Sequence, residues 1–438
     1  MVERQPSKLG VAGSSPVARS IFRWIINKGM FKKTVIAAVI MAASFFCGPA
    51  LAGWDAGSLA EIKARAVAAM NAGGFDAAVT ILEKPASENP FEEDLKKLLA
   101  QAYAARGWGY ARDGRFEDAL SDFKKARVAE PQKQAATYLG LGYASLRLKE
   151  TDDALYYLNE AVYLNPDEPQ ARVLLGEIYY QRGKLDDAIR EWERSYELRP
   201  EEHVKAMLAK VKKEHGVEGS FTKRETYSFN VKYEGEEKRE LGDLVMDILY
   251  KATSNVGGDL GFYPKQPVNV ILYTRRQFTD ITDAPDWSGG VFDGNIRIPV
   301  GGKGIDETAL AAVLHHEYTH AVLYMIAGNA VPTWLGEGLA QYEERWARPA
   351  RPAQGLEPVP LSSLNGSFMG MGDAEKAKSA YEQSLSAVQY YVDRFGIYNL
   401  SRIVRLLGEG RSLSDAMAEA SGVTLDEFEG LWRASLSR

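Results

Sequence analysis

Three of the five histidines in the chain fall within six consecutive residues, from position 315 to position 320. Residues four positions apart on an α-helix differ by only about 40° around its axis, so His316 and His320 can direct their imidazoles at one metal ion. The carboxylate of Glu317, one step around the helix, can take a proton from a water molecule at the open position of such a metal. These side chains favour Zn2+ and give Glu317 the role of general base.

The residues around this motif predict that its helix is buried. Apolar side chains cover most sides of the segment from 309 to 326: Leu310, Val313, Leu314, Ala321, Val322, Leu323, Met325 and Ile326. A helix that is apolar all round is normally buried, and burying two imidazoles and a carboxylate without partners is costly. A metal ion removes that cost. The alternative is that both histidines are hydrogen-bonded within the helix and that Glu317 lies on the surface.

A catalytic zinc ion takes three protein ligands, so the motif needs one more. No histidine follows His320, and carboxylates therefore remain as candidates. Glu337 lies among apolar residues and glycines, where a buried carboxylate requires a partner. Glu343 and Glu344 adjoin Arg345 and are expected at a solvated end. We therefore expect Glu337 to be the third metal ligand.

The second half of the chain, 222–438, combines strand patterns with helical patterns. Strands are predicted at Thr226–Tyr233, at Val268–Tyr273 and on both sides of the turn Asp293–Asn295. Helices are predicted at Leu241–Ser254, Lys376–Arg394, Leu400–Leu407, Ser412–Ala420 and Thr424–Leu436. The metal-binding helix should begin after Asp306 and end at Gly328. Strands followed by helices indicate an α+β domain.

The first half, 55–218, repeats with a period of about 34 residues. The recurring residues are small residues (Gly109, Gly142, Gly176), alanines after an aspartate (Ala119, Ala154, Ala188) and prolines (Pro131, Pro166, Pro200). This period and pattern resemble the tetratricopeptide repeat (TPR). The resemblance implies an all-α solenoid closed by a capping helix, Glu201–His215, with a groove for a protein partner. Candidate groove residues are Tyr138, Tyr143, Tyr179 and Arg182, although packing between helices is the favoured role for any single one of the tyrosines. A divergent unit at Phe75–Pro90 precedes an insertion near 91–97.

The motif and the segment after it resemble a known enzyme superfamily. His316-Glu317-x-x-His320, followed by Trp-Leu-x-Glu337-Gly-Leu-Ala-x-Tyr342, is similar to the gluzincins, the thermolysin-like superfamily. The chain is especially similar to peptidase-MA-like metallohydrolases that are fused to TPR arrays in exported bacterial proteins. The resemblance implies a zincin-like metallopeptidase domain at 222–438, with His316, His320 and Glu337 as zinc ligands and Glu317 as general base. No motif for binding a substrate N-terminus is visible, which favours an endopeptidase.

Two further roles are hypotheses. The segment Ser288–Phe292 is an expected edge strand that can pair with an extended substrate, although an ordinary sheet edge is equally consistent with it. Tyr381 is the preferred candidate for stabilising the oxyanion, ahead of Tyr390 and Tyr391, and packing within the core is its alternative role.

The N-terminus has the pattern of an export signal. Residues 1–29 lack periodicity and are expected to precede the true start at Met30. Residues 30–52 form a predicted signal peptide, with a positive start, an apolar run and the cleavage site Ala50-Leu51-Ala52. The single cysteine, Cys47, lies inside it, so the mature chain would contain no disulfide and no thiolate ligand. We expect a periplasmic or secreted protein that does not remain inserted in the membrane.

Two functions fit these observations. The first is an exported zinc metallopeptidase that hydrolyses peptide bonds with a zinc-activated water and Glu317 as base, while the TPR array recruits a peptide or protein substrate or a partner. The second is a TPR scaffold for protein assembly, whose metal site is vestigial or structural. A net charge of −6 gives no electrostatic reason to expect a nucleic-acid partner.

Overall fold

The computed structural model describes residues 56–235, 239–285, 287–301, 306–349, 356–369, 371 and 373–436. These residues form two compact units. The first unit holds 56–180 and 184–212, and the second holds 181–183 and the described residues from 213 onward. The predicted early start (1–29) and signal peptide (30–52) lie outside the described residues. Within the described ranges, no helix combines the length and the apolar character needed to cross a bilayer.

The first unit is helical. Its helices are α1 (Ala56–Asn71), α2 (Phe75–Glu88), α3 (Glu93–Arg112), α4 (Phe116–Ala129), α5 (Ala135–Arg147), α6 (Thr151–Leu164), α7 (Pro169–Gln181), α8 (Leu185–Leu198) and the first part of α9 (Glu202–Glu218). Neighbouring helices pack around two apolar clusters. This array confirms the all-α part of the predicted fold class.

The residues that recur in the sequence occupy equivalent places in successive helix pairs. The recurring alanines of α4, α6 and α8 are fully buried: Ala119, Ala154 and Ala188. Each of these helices ends two residues before a recurring proline. A Cβ atom on Gly142 would lie 2.6 Å from Cγ of Leu158, and one on Gly176 would lie 2.3 Å from Nε1 of Trp192. The period therefore reflects helices that approach too closely for a larger residue.

The insertion expected near 91–97 is helical. Helix α3 has 20 residues, whereas its counterparts α5 and α7 have 13 each. Because α3 and α5 end at equivalent places before their partner helices, the additional residues extend the start of α3. The insertion therefore adds helical turns to α3 rather than lengthening a loop.

The second unit contains a five-stranded sheet and several helices. The elements are β1 (Thr222–Glu225), β2 (Phe229–Tyr233), α10 (Arg239–Leu260), β3 (Val268–Tyr273), α11 (Arg275–Thr282), β4 (Val291–Phe292), β5 (Ile296–Pro299), α12 (Glu307–Ala327), α13 (Thr333–Glu343), α14 (Ala374–Phe395), α15 (Ile397–Gly408), α16 (Leu413–Ser421) and α17 (Leu425–Leu436). The strand order is β1-β2-β3-β5-β4, in which β2, β3 and β5 are parallel and the two outer strands are antiparallel. Strands followed by helices confirm the α+β part of the predicted fold class.

Helix α12 is embedded in the core of the second unit, as its apolar composition predicts. Its buried residues pack with α10, α13 and the faces of the three central strands in one apolar cluster. The carboxylate of Asp306 accepts a hydrogen bond from the backbone N–H of Ala309 at 3.0 Å, so the predicted N-cap is confirmed. The helix ends at Gly328, where φ is +60°. The cap and the packed surroundings fix the helix that carries the histidine motif.

Several elements differ from the sequence prediction. The strand predicted from Thr226 begins only at Phe229, because Thr226 and Phe229 bond to each other across a turn. Strand β1 and helix α11 were not predicted. Helix α11 has few apolar residues, and its start depends on a capping box between Thr274 and Gln277. Short elements with local polar caps give little apolar periodicity for a sequence analysis to detect.

The predicted capping helix is divided between the two units. Helix α9 continues to Glu218, and the units divide after Lys212. Its last turns carry Glu214 and Glu218, which are buried in the second unit and form ion pairs with Arg297 of β5. The final part of α9 therefore contributes to the packing of the second unit.

Candidate metal centre

Three side chains from two helices converge at the surface of α12. The Nε2 atoms of His316 and His320 lie 3.2 Å apart, and Oε2 of Glu337 on α13 lies 3.4 Å from each of them. A tetrahedral zinc site with bonds of about 2.0–2.1 Å has donor atoms about 3.3–3.4 Å apart. The three predicted ligands therefore have the spacing that one face of a zinc tetrahedron requires. They also form a group of His, Cys, Asp or Glu donors that could hold a metal within the described residues.

The carboxylate of Glu337 supports the same conclusion. Its Oε2 atom is buried and makes no hydrogen bond with the described residues. Burial would raise the pKa of Glu337, but the charge of His320 and the contacts with both imidazoles lower it below its usual range. A buried anionic oxygen without a hydrogen-bond donor is costly unless a cation compensates it. The residues present therefore fit a bound zinc ion.

Glu317 lies beside this group and differs from Glu337 in its contacts. It is 5% exposed, and burial raises the pKa of its carboxyl group. The charges of His316 and His320 act in the opposite direction. Among the described residues, the Glu317 carboxylate has no hydrogen-bond donor. The carboxylate is therefore available to a water molecule or a substrate at the site.

Family comparisons agree with this geometry. Residues 250–438 match the Peptidase MA superfamily, and residues 105–169 and 145–211 match tetratricopeptide repeat families. The chain joins tetratricopeptide repeats to a Peptidase MA superfamily domain. This combination was the one suggested by the sequence motifs, and it makes the protein metallopeptidase-like. No curated protein matches the sequence.

Solved structures that resemble the chain are TPR proteins. The first TPR of Spaghetti (RPAP3), bound to the HSP90 peptide SRMEEVD, is 25% identical; the match covers 27% of this chain and 93% of that chain, with a TM-score of 0.26. MamA is 23% identical over 38% of this chain and 88% of that chain, with a TM-score of 0.28. YrrB, described as a TPR protein with an unusual peptide-binding site, is 24% identical. The match covers 32% of this chain and 68% of that chain, with a TM-score of 0.27.

In the Peptidase MA domain, a second carboxylate contacts one of the candidate metal ligands, His316, on the side away from the other two. The Nδ1 atom of His316 lies 3.0 Å from Oε1 of Glu344, and Arg348 contacts Oε2 of Glu344 at 2.6 Å. Burial would raise the pKa of Glu344, but its bonds with His316 and Arg348 lower it. A carboxylate on the far nitrogen of a ligating histidine fixes the orientation of the imidazole. Glu344 therefore fits the role of orienting His316 toward a metal.

The expectation that Glu343 and Glu344 lie at a solvated end is wrong. Glu343 is fully buried beside Arg345, and the side chain of Glu344 is only 15% exposed. The neighbouring charged residues suggested a solvent-exposed surface. In the fold, however, Arg345 pairs with Glu343 and Arg348 pairs with Glu344. The spacing of seven residues after Glu337, close to two helical turns, is the signal that could have located Glu344 on the ligand side.

The structure places Tyr381 near the metal ligands. This residue of α14 is half-buried, and its pKa is raised by burial and by the charges of Glu337 and Glu317. The hydroxyl of Tyr391 instead pairs with Ser421 at 2.5 Å, and the ring of Tyr390 packs on Phe428. The influence of Glu337 and Glu317 on Tyr381 makes it the tyrosine that best fits a role at the candidate site.

The segment Ser288–Phe292 forms a strand only in its last two residues. Val291 and Phe292 make up β4, which is an outer strand of the sheet, and Ser288 to Gly290 form a loop beside α12. The remaining histidine of the cluster, His315, has other partners. Its Nδ1 lies 2.7 Å from the carbonyl of Ala311 and its Nε2 lies 3.3 Å from Asn255, so it is a structural histidine.

Proposed function

We propose that the protein is an exported zinc-dependent endopeptidase whose TPR array recruits a peptide or protein substrate or a partner. The observation that carries this proposal is the triangle of donor atoms from His316, His320 and Glu337, with the buried carboxylate of Glu317 beside it. The match to the Peptidase MA superfamily supports the reaction class.

In this proposal, His316, His320 and Glu337 hold the zinc ion. When bound, the ion would supply Lewis-acid chemistry to water and to the peptide carbonyl. Glu317 accepts a proton from the attacking water while the water oxygen forms a bond with the carbonyl carbon. The same carboxyl group then gives the proton to the amide nitrogen as the C–N bond breaks. Tyr381 donates a hydrogen bond to the carbonyl oxygen as negative charge develops there.

The repeats and the leader support the remaining parts of the proposal. TPR arrays present extended concave surfaces, and two family matches identify such repeats before the Peptidase MA domain. These repeats would select the protein on which the domain acts. The signal pattern at 30–52 would direct the chain to the periplasm or the exterior.

A comparison of the purified protein with Glu317→Gln tests the proposed reaction. Both proteins are reconstituted with zinc and incubated with a mixture of unfolded proteins, and new peptide ends are identified by mass spectrometry. We expect cleavage by the wild type and a loss of about 100-fold to 10,000-fold in the variant, because the base is removed. Zinc content should be unchanged. Equal cleavage by both proteins would contradict the role of Glu317 as general base, and zinc-loaded wild type that cleaves nothing would favour the scaffold alternative.

A further inference from the structure

We infer that Gly290 positions the general base by setting the direction of the Glu317 carboxylate. The predicted effect on kcat rests on the proposed function, whereas the predicted position of the carboxylate does not. Glu317 has no hydrogen-bond donor among the described residues, so polar contacts with these residues do not orient its carboxylate. Packing must hold the carboxylate, and the backbone of the loop Ser288–Gly290 approaches it closely at Gly290.

The distances show how tightly the loop approaches α12. A Cβ atom on Gly290 would lie 2.9 Å from both Cγ and Oε1 of Glu317, and 2.9 Å from Cδ1 of Ile298. A Cβ atom on Gly289 would lie 2.9 Å from Cγ2 of Val313, one turn earlier on α12. The two glycines therefore allow the backbone to lie against the helix, and Gly290 lies directly against the base.

Hydrogen bonds hold the loop in this position. The hydroxyl of Ser288 donates to the carbonyl of Gly290 at 2.7 Å, and Ser288 is buried. The guanidinium of Arg275, at the start of α11, donates to the carbonyl of Ser288 at 2.6 Å. The surface against which Glu317 rests is thus a fixed piece of backbone. Such a support can restrict the carboxylate to one direction without neutralising its charge.

Replacing Gly290 with alanine should move the base without unfolding the domain. The φ angle of Gly290 lies outside the left-handed region, so an alanine can adopt the backbone conformation. The atoms that the new methyl group meets belong to the side chains of Glu317 and Ile298 and not to the backbone. Gly338 shows the opposite case, because its Cβ would lie 2.3 Å from the backbone oxygen of Ser384. At Gly290 the clash should be relieved mainly by displacement of Glu317.

The kinetic test compares Gly290→Ala with Gly289→Ala. Both changes add one methyl group to the same loop, but the second meets Val313, which takes no part in the reaction. For Gly290→Ala we expect kcat to fall by about 100-fold, since a displacement near 1 Å can have an effect of this size. KM, zinc content and melting temperature should stay close to wild type. Gly289→Ala should keep kcat within about threefold. Ser288→Ala, which releases the Gly290 carbonyl, should show a smaller fall in kcat.

Crystal structures of the zinc-loaded wild type and the two glycine variants give a test that does not depend on turnover. We expect the Glu317 carboxylate to be displaced in Gly290→Ala and unchanged in Gly289→Ala. An unchanged Glu317 position in Gly290→Ala, or an equal fall in kcat for both glycine variants, would overturn the inference. If the wild type shows no hydrolysis, the proposed function fails, and the position of Glu317 in these crystals still decides whether Gly290 orients it.

Discussion

Two clusters of buried carboxylates lie in the second unit, and they differ in the positive charge that accompanies them. In the Arg297 cluster, a fully buried guanidinium contacts Glu214, Glu218 and Asp293 at distances of 3.0 to 3.3 Å. Lys232 adds a second cation at 2.9 Å from Glu218. The protein itself supplies the charges that neutralise these carboxylates.

In the metal-site cluster, the described residues supply no lysine or arginine to the inner carboxylate. Glu337 faces the imidazoles of His316 and His320, which are neutral when they act as metal ligands. Arg348 contacts Glu344 instead. The first cluster is therefore paired with arginine and lysine, whereas among the described residues Glu337 is paired only with imidazoles and fits a bound cation.

The largest expected effect on stability comes from breaking the Arg297 cluster. Arg297→Leu removes the guanidinium that the buried Glu214 and Glu218 share and leaves Lys232 as the cation beside Glu218, which should lower the free energy of unfolding by about 3–5 kcal/mol. Chemical denaturation measures this change. Arg402→Leu is the control, because its pair with Glu419 is half-exposed and should contribute less than about 1 kcal/mol. Similar small losses in both variants would show that the buried cluster is not structural.

A third buried carboxylate, Glu343, should make the free energy of unfolding depend on pH. Burial raises the pKa of Glu343 to about 7, although Arg345 lowers it. The folded chain therefore holds a proton that the unfolded chain releases between about pH 4.5 and pH 7. The free energy of unfolding should fall as the pH rises through this window, by at most about 3 kcal/mol.

Glu343→Gln should remove this slope, because the amide does not titrate. Denaturation curves at several values of pH between 4.5 and 7.5 measure the slope, and Glu409→Gln, at an exposed position, is the control. A slope in Glu343→Gln as steep as in the wild type would assign the pH dependence to other groups.

A smaller effect is expected at the carboxylate behind the metal ligands. Glu344→Gln keeps the size of the side chain but weakens its bond with Nδ1 of His316, so zinc affinity should fall by about 10-fold to 100-fold. Competition with a zinc chelator measures the affinity. If the affinity matches that of the wild type, Glu344 does not orient the ligand.

Most of the architecture follows from patterns that depend on many residues. The repeat period predicts the helical array because the recurring alanines, and Gly142 and Gly176 among the glycines, occupy packed contacts. The apolar surroundings of His316 and Glu337 predict that both side chains are buried. Because a buried carboxylate requires a partner, they also predict that Glu337 lies beside the histidines. The spacing of His316 and His320 sets their common direction, and the structure brings Glu337 to the same place.

Features that depend on tertiary contacts were not accessible from the sequence. Glu343 and Glu344 have the same local composition as a solvated helix end, and only the fold shows that the first is fully buried and the second largely so. The contact of Gly290 with Glu317 joins two segments that are far apart in sequence, so no local pattern indicates it. The short helix α11 depends on one polar cap rather than on apolar periodicity.

The zinc content of the purified protein tests the central claim most directly. Elemental mass spectrometry is applied to the wild type, to Glu337→Gln and to Glu343→Gln, which removes a buried carboxylate of α13 that is not a proposed ligand. The account predicts about one zinc ion per chain in the wild type and in Glu343→Gln, and much less in Glu337→Gln. A wild type that takes up no zinc after reconstitution, or a Glu337→Gln variant that retains it fully, would contradict the three-ligand site.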